Sequence, residues 1–387
     1  MSDGQHESGQ RARPGGAAGL LTPSMLVPIS AFFLGATLLL LRADLDRMPA
    51  TVEVALSMGI IGLVVWAVFV ALGHAEAIAQ RIGEPYGTLV LTMAVTAIEA
   101  SVIVSVMLHG DANPTIARES VFSTVMIVTS GVVGFCLVPG GLLHRQQEYK
   151  RLGTGALLAV VIALSVLTLV LPNFTLTAAP GSFSAVQLAF VSTLSVLLYG
   201  SFVYAQMTRQ REDFLDDATP AVEEPHAPPP HVPPLHGLPL SLAMLALGLI
   251  GIVMLAEHIA AGLEGGLEAL HIGQVDAIVG AFIATLVLMP ETVAALRAAM
   301  RNELQRSLNI ALGSACATIG LTVPVVAAVS LITGHQLTLG LGAGDTVLLL
   351  LSLGISIVSF SQGRTTVLTG LVHLVVFVAY LLLIAVP

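Results

Sequence analysis

The sequence predicts an all-α integral membrane protein of about eleven transmembrane helices, arranged as one helix followed by two inverted five-helix repeats. Of its 387 residues, 55% are hydrophobic and only 10% are charged, against roughly 25% charged in a soluble domain. Its mean hydropathy is +0.91. This much apolar surface excludes a soluble enzyme, a nucleic-acid binder and a disordered scaffold, and the net charge of −9 indicates no polybasic surface.

Eleven apolar runs predict the spans, because each is near the ~20 residues that a helix needs to cross a bilayer. A transmembrane β-barrel would instead show short segments of alternating polarity. No cleavage site follows the first run, which therefore predicts a retained helix rather than a signal peptide. The runs are 25–41, 54–72, 87–108, 121–143, 154–171, 185–207, 238–256, 272–289, 308–332, 339–360 and 367–386.

Basic residues in the loops predict the orientation. Alternate loops, starting with the N-terminal tail, carry twelve Lys and Arg residues, whereas the opposite loops carry only Arg42, Arg47 and Arg118. Because cytoplasmic loops are enriched in Lys and Arg, the N-terminus is predicted to be cytoplasmic and the C-terminus outside. The twelve residues are Arg11, Arg13, Arg81, Arg145, Lys150, Arg151, Arg209, Arg211, Arg297, Arg301, Arg306 and Arg364.

One hydrophilic stretch divides the chain. Residues 208–237 begin acidic and end rich in Pro and His, so their second half is predicted to be an extended linker. The predicted divisions are a cytoplasmic tail (1–24), a first helix and loop (25–50), a first five-helix repeat (51–207), this cytoplasmic linker (208–237) and a second five-helix repeat (238–387).

The two halves share a pattern of glutamates. Residues 75–79 read A-E-A-I-A and residues 256–260 read A-E-H-I-A, each at the end of the first helix of a half. The next helix of each half then carries one glutamate, Glu99 or Glu291. Because each half has an odd number of spans, the second must be inverted, as in many secondary transporters with a site at the membrane midplane.

Glu99 lies about in the middle of its span, where an ionised carboxylate costs a few kcal/mol. It is therefore predicted to be a cation or proton site, although a neutral, hydrogen-bonded structural role stays open. Glu291 is nearer the end of its helix, where an interfacial residue without a special role is the alternative, but pseudo-symmetry would bring it towards Glu99. Thr96 and Pro290 are the predicted supporting features, because a hydroxyl or carbonyls freed by a proline can ligate a hard cation. Thr96 can equally bond its own helix, and Pro290 can be a mere packing kink.

Glu76 and Glu257 fall near opposite membrane faces in the predicted topology. They are predicted entrance carboxylates, with solvated helix ends as the alternative. His258 adjoins Glu257 and can titrate near neutral pH, but a lone interfacial histidine often has no special role.

A competing motif points to another class of protein. Residues 342–345 read G-A-G-D, the form G-x-G-D of intramembrane aspartyl proteases, whose chemistry needs two aspartates that share a proton. The other aspartates lie in loops or near helix starts. Asp345 is more simply interpreted as a helix N-cap. The sequence contains no H-E-x-x-H, so a zinc protease has no support.

Several segments resemble the calcium/cation antiporter superfamily, in its calcium:proton exchanger branch, and most of all the bacterial ChaA type of calcium and sodium (potassium):proton antiporter. The first signature of that family resembles residues 83–89 and 99–101. The second resembles residues 290–291, 306–314 and 322–325, and the start of the last helix resembles residues 363–370.

The resemblance implies export of Ca²⁺ and/or Na⁺, with K⁺ as a further candidate, in exchange for H⁺. It implies Glu99 and Glu291 as the cation- and proton-binding residues, and Glu76 and Glu257 as acidic positions at the entrances. It implies no enzyme activity, no cofactor and no nucleic-acid partner; the partners are the lipid bilayer and the transported cations. It also implies a location in the inner (plasma) membrane of a bacterium.

The chain departs from the family pattern in ways that put strict calcium selectivity in doubt. Related exchangers carry Asn three residues before each central glutamate, where this chain has Thr96 and Leu288. A common acidic position in the last helix is Thr369 here.

Competition at one site would suffice for antiport. Two carboxylates in a low-dielectric midplane cannot easily both stay ionised without a cation, so the site would hold either protons or a cation. If the site were exposed alternately to each face, transport of one would require return of the other. A cation channel or uniporter without proton coupling is the alternative within membrane transport.

Overall fold

The computed structural model describes residues 23–41, 50–82, 86–108, 114–176, 179–215, 237–269 and 274–386. Within these ranges, nine helices are long and apolar enough to cross a membrane, and two shorter apolar helices complete the predicted eleven. The predicted all-α membrane architecture is therefore confirmed. The N-terminal tail and most of the linker lie outside the described residues.

The helices follow the predicted order along the chain. They are α1 (Pro23–Leu40), α2 (Ala50–Ile82), α3 (Tyr86–Leu108), α4 (Ile116–His144), α5 (Arg151–Phe174), α6 (Ala185–Met207), α7 (Leu238–Ala269), α8 (Val275–Met300), α9 (Leu304–Thr333), α10 (Ala343–Ser359) and α11 (Val367–Ala385). Two short strands, β1 (Gln147–Glu148) and β2 (Arg364–Thr365), pair antiparallel between α4–α5 and α10–α11.

Several helices are longer than the apolar runs that predicted them. Helix α2 has 33 residues and α7 has 32, about 50 Å each at 1.5 Å per residue, whereas the bilayer core is about 30 Å thick. Their polar ends, including A-E-x-I-A, thus continue as helix past the most apolar stretch. In contrast, α10 begins at Ala343 rather than at residue 339, because residues 334–342 are not helical.

The loops gather into two groups at opposite ends of the bundle, as alternating spans require. At one end, which we call the predicted inner end, Gln147 Nε2 donates to Ala299 O and β1 pairs with β2. At the other, the predicted outer end, the backbone N–H of Thr338 donates to Pro114 O and that of Gly340 to Gly181 O. This grouping matches the side assigned to each of these loops from sequence.

The cytoplasmic assignment of the predicted inner end stays a prediction, and fusion proteins test it. In a Gram-negative bacterium, alkaline phosphatase fused after Pro387 should be active, because the enzyme needs the periplasm, and a fusion after Arg151 should be inactive. A cytoplasmic reporter such as β-galactosidase should give the opposite pattern at each point. Reversed activities at both points would overturn the orientation, and equal activities at the two points would overturn the odd number of spans between them.

Two expectations at the predicted outer end are wrong. Asp345 does not cap α10: Gly342 is the N-cap, and Asp345 lies in the first turn, where a carboxylate suits the helix dipole. Arg118 is not in a loop. It belongs to the first turn of α4 because that helix begins five residues before the apolar run, at Ile116.

Three helices contain a wide π-helical turn. These turns are Ile127–Val132 in α4, Val166–Val170 in α5 and Thr318–Thr322 in α9. Helices α4 and α9 are the third helices of the two predicted repeats. Since π-turns are rare and frequently mark functional sites, the side chains near these two matching turns are candidates for a functional site.

Candidate functional site

Glu99 lies inside the bundle on α3, with only 4% of its surface exposed. Its carboxylate accepts two hydrogen bonds from side chains on other helices. Thr318 Oγ1 donates to Oε2 at 2.6 Å, and Thr124 Oγ1 donates to Oε1 at 3.3 Å. Both oxygens of this buried carboxylate therefore have hydroxyl donors, which reduces the cost of burying it.

The two donors come from the third helices of the two predicted repeats. Thr124 lies on α4, three residues before its π-turn, and Thr318 is the first residue of the π-turn of α9. One turn further along α9, the buried Oγ1 of Thr322 has no hydrogen-bond partner among the described residues. Glu99 is thus held between the two halves of the chain.

Glu291 on α8 is half-buried as a residue, but its Oε2 atom is fully buried. Within the described part of the chain, that oxygen has no hydrogen-bond partner. Burying a carboxylate oxygen without a donor is costly, and an ion, a proton or a water molecule ordinarily satisfies such an atom. This oxygen is consequently a candidate position for a bound cation or proton.

Glu99 and Glu291 repel each other electrostatically, and the helices that carry them, α3 and α8, are in contact. The structure therefore brings together the two glutamates that the repeat had paired. Across the described ranges, no group of three or more His, Cys, Asp or Glu side chains is arranged to hold a metal ion. A cation here would need two carboxylates supplemented by hydroxyl and backbone oxygens.

The two supporting features fall close to their glutamates in sequence. Thr96 is buried, and its hydroxyl donates to Thr92 O on its own helix at 2.9 Å. Helix α8 continues through Pro290, which is buried and does not end the helix. Because proline has no N–H, the carbonyl of Leu286 four residues earlier loses its usual helical donor.

The two entrance glutamates lie near opposite ends of the bundle. Glu257 accepts a hydrogen bond of 2.9 Å from Ser105 Oγ, close to the predicted outer end of α3. With His258 it lines a cavity of about 260 Å³ between α1, α3 and α7. Glu76 is half-buried near the predicted inner end of α2.

A further buried carboxylate was missed in the sequence. Glu119 on α4 is 5% exposed and pairs with its neighbour Arg118, whose Nε donates to Oε1 at 2.8 Å. Arg118 also donates to Gly340 O at 3.1 Å and so ties α4 to the segment before α10. The adjacent Arg and Glu at the start of an apolar run were the available signal.

Thr124 and Thr318 were also missed, because hydroxyl residues are common in membrane helices and usually bond their own backbone. Their number and spacing in the sequence carry no indication that they face Glu99. The π-turns near them have no recognised sequence signature.

Comparisons with known proteins identify the family of the chain. The family model described as "Sodium/calcium exchanger protein" matches residues 51–208 and 240–386. An ionic transporter of Sinorhizobium fredii, y4hA, is 44% identical over 327 residues, which cover 84% of this chain and 87% of that protein. The sodium-potassium/proton antiporter ChaA of Escherichia coli is 35% identical over 368 residues, covering 93% of this chain and 95% of ChaA.

Among solved structures, a Ca²⁺/H⁺ antiporter protein named YfkE has a similar fold. Its TM-score is 0.66, with 15% sequence identity, and the match covers 95% of this chain and all of that chain. At this identity the likeness concerns the fold alone. The family model covers most of the chain and the Escherichia coli relative nearly all of it, so the chain belongs to the sodium/calcium exchanger family of membrane transport proteins and is not an enzyme.

Proposed function

We propose that this chain is a secondary active antiporter that exports Na⁺ and/or Ca²⁺, with K⁺ as a further candidate, in exchange for H⁺. The observation that carries the proposal is the pair of glutamates between the two halves, of which Glu291 has a buried oxygen without a donor in the described residues. The names of two relatives support it, since ChaA is a sodium-potassium/proton antiporter and YfkE a Ca²⁺/H⁺ antiporter.

The chemistry of the donor set suits competition between a cation and protons. Each threonine hydroxyl that donates its hydrogen to Glu99 keeps lone pairs that face away from that bond. Thr124 and Thr318 therefore supply oxygen ligands beside the carboxylate, and Glu291 supplies a second charge. With a cation bound, both glutamates are ionised. Without one, their mutual repulsion is relieved when a proton binds.

Coupling follows if the site opens to one face at a time. A site that is either cation-loaded or protonated crosses between the two open states with its charge balanced, whereas two bare carboxylates in the membrane interior are costly. Glu257 and Glu76 lie near opposite ends of the bundle and are suited to attract cations to the site from each side. The predicted inverted repeats provide two related half-structures for the two states.

Everted membrane vesicles with an imposed pH gradient test the proposal. Adding Na⁺, Ca²⁺ or K⁺ in turn should collapse the gradient in vesicles that contain the wild-type protein, but not in vesicles with the Glu99→Gln variant. A uniporter or channel would instead move the cation down its own gradient without proton movement. Cation flux that is indifferent to the pH gradient would therefore reject antiport.

The choice of ion gives a second test. Leu288 offers no side-chain oxygen, and the Thr96 hydroxyl donates to its own helix, so the site lacks the two amides of related exchangers. Ca²⁺ seeks about six to eight oxygens and loses more than Na⁺ from a missing ligand. We expect the wild type to exchange Na⁺ as well as Ca²⁺, and most visibly at alkaline pH, where protons compete least.

Thr96→Asn should shift the preference towards Ca²⁺, measured as the ratio of the apparent affinities for the two ions. The matched control is Thr92→Asn, one turn earlier on α3. Wild-type protein that exchanges Ca²⁺ well but shows no Na⁺/H⁺ exchange from neutral to alkaline pH would reject this interpretation of Thr96 and Leu288.

A further inference from the structure

A buried polar network, distinct from the glutamate pair, joins the π-turn of α4 to α10 and α11. Thr129 and Ser130 lie in that π-turn, Ser352 on α10 and His373 on α11, and all four are at most 1% exposed. Ser352 Oγ is 2.7 Å from both Thr129 Oγ1 and Ser130 Oγ. Polar groups this deeply buried in a membrane protein are costly unless they are hydrogen-bonded, and they often have a function.

The hydrogens of this network have only one consistent arrangement. Thr129 Oγ1 donates its single hydrogen to Val125 O at 2.7 Å, because a carbonyl can only accept. Ser352 must therefore donate to Thr129, and Ser130 must donate to Ser352. The chain of hydroxyls is directed, and it ends on the carbonyl of Val125, next to Thr124.

His373 bonds the same turn from the other side. Its Nδ1 is 2.7 Å from Thr129 O, so Nδ1 carries the hydrogen and donates it. Its Nε2, 3.0 Å from Ser359 Oγ, then accepts from that hydroxyl. The π-turn follows i→i+5 bonding, as when Val133 N–H bonds to Val128 O, and this pattern is rare and frequently found at functional sites.

Tight packing fixes where His373 lies. Helices α4 and α11 meet through glycines whose Cβ positions are already occupied. A Cβ on Gly134 would be 3.1 Å from Leu374 N, and one on Gly370 would be 2.8 Å from Val138 N. Small residues allow such backbone approach in membrane proteins. The imidazole is therefore held against α4 by the seam around it.

We propose that His373 is a positioning residue for the glutamate site: it holds the π-turn of α4 in the geometry that places the Thr124 hydroxyl on Glu99. The steps are His373 to Thr129, Thr129 to Val125, and Thr124 to the carboxylate. This role rests on the proposed function for its effect on transport. It predicts that a change on α11 alters cation affinity at glutamates carried by α3 and α8.

The main test compares two replacements of His373. His373→Leu removes both hydrogen bonds and should weaken the apparent affinity for Na⁺ or Ca²⁺ by up to about tenfold, the lower end of the losses seen when residues that orient metal ligands are changed, with a smaller change in maximal rate. His373→Asn keeps an N–H near the position of Nδ1 and should restore most of the affinity. Ser359→Ala removes only the hydrogen bond to Nε2 of His373 and should change the cation affinity least.

A double-variant cycle separates positioning from general damage. If His373 acts through Thr124, the Thr124→Val/His373→Leu pair should be little worse than the more impaired single variant. Affinity losses that multiply in the double variant would overturn the proposal. Ser352→Ala, a smaller change in the same network, should weaken affinity in the same direction as His373→Leu; unchanged affinity in both variants would also overturn it.

Hydrogen–deuterium exchange of the purified full-length protein provides a readout that does not depend on transport. His373→Leu should speed exchange of the amides in residues 124–132 more than elsewhere in the described helices. Unchanged exchange there would reject the positioning role. Wild-type protein without any cation:proton exchange would reject the proposed function instead, whereas local loosening at 124–132 would still support the link from His373 to α4.

Discussion

Replacing Glu99 or Glu291 by glutamine should abolish cation:proton exchange while the protein still reaches the membrane. Glutamine keeps the shape of the side chain but removes the charge that binds a cation and the group that takes up a proton. We expect each variant to lose at least ~100-fold in exchange rate, at the upper end of the losses seen when groups that govern metal affinity are changed. Gradient collapse in everted vesicles measures it.

A Glu→Gln change outside the proposed site controls for the substitution itself. Glu148→Gln is suitable, because its side chain is 78% exposed in β1 and makes only a surface contact of 3.5 Å with Arg364. It should leave exchange unchanged. Near-normal exchange in either central variant, at a normal amount in the membrane, would show that the cation and proton site lies elsewhere.

The two central variants should also differ in stability. In Glu99→Gln, one of the two threonine hydroxyls faces an amide NH₂ that cannot accept its hydrogen, so an existing pair is lost. In Glu291→Gln, the change falls on an oxygen without a donor in the described residues, so no side-chain pair is broken. We therefore expect Glu99→Gln to lower the melting temperature more than Glu291→Gln does.

The two central glutamates could be predicted from the sequence. The positions of Glu99 and Glu291 followed from long apolar runs and one repeated pattern, since a carboxylate inside a span is rare and therefore informative. The ends of the helices could not be predicted in the same way, because hydropathy marks the part of a helix inside the bilayer rather than its full length. Helices α2 and α7 continue beyond their most apolar stretch.

The partners of Glu99 were beyond sequence reasoning for a physical reason. An α-helix turns 3.6 residues per turn, so the face of a side chain can be read from spacing. A π-turn changes that spacing, and all face assignments beyond it rotate. Thr318 begins the π-turn of α9 and Thr124 lies three residues before that of α4, and nothing in their sequence spacing indicates that both hydroxyls meet Glu99.

Buried pairs between neighbours were missed for a different reason. Arg118 was counted as a loop residue, which is correct for a basic residue before an apolar run in most membrane proteins. Here Glu119 follows it directly and the two form a close ion pair. Because the two opposite charges are paired, both residues can belong to the first turn of α4, which begins before the apolar stretch.

Thr318→Val should impair exchange more than Thr124→Val, although both remove a hydroxyl that donates to Glu99. The bond from Thr318 is 2.6 Å long and that from Thr124 is 3.3 Å, so the first is the stronger, charge-assisted contact. Valine keeps the branched shape and leaves the carboxylate oxygen without its donor. We expect cation affinity to fall by roughly 10- to 100-fold for Thr318→Val and by less than about tenfold for Thr124→Val. Initial rates over a range of cation concentrations give the apparent KM and kcat.

Thr193→Val, at an exposed position of α6 where the hydroxyl bonds its own helix, is the matched control and should be neutral. Equal effects of the two site variants would mean that the 2.6 Å contact does not govern binding.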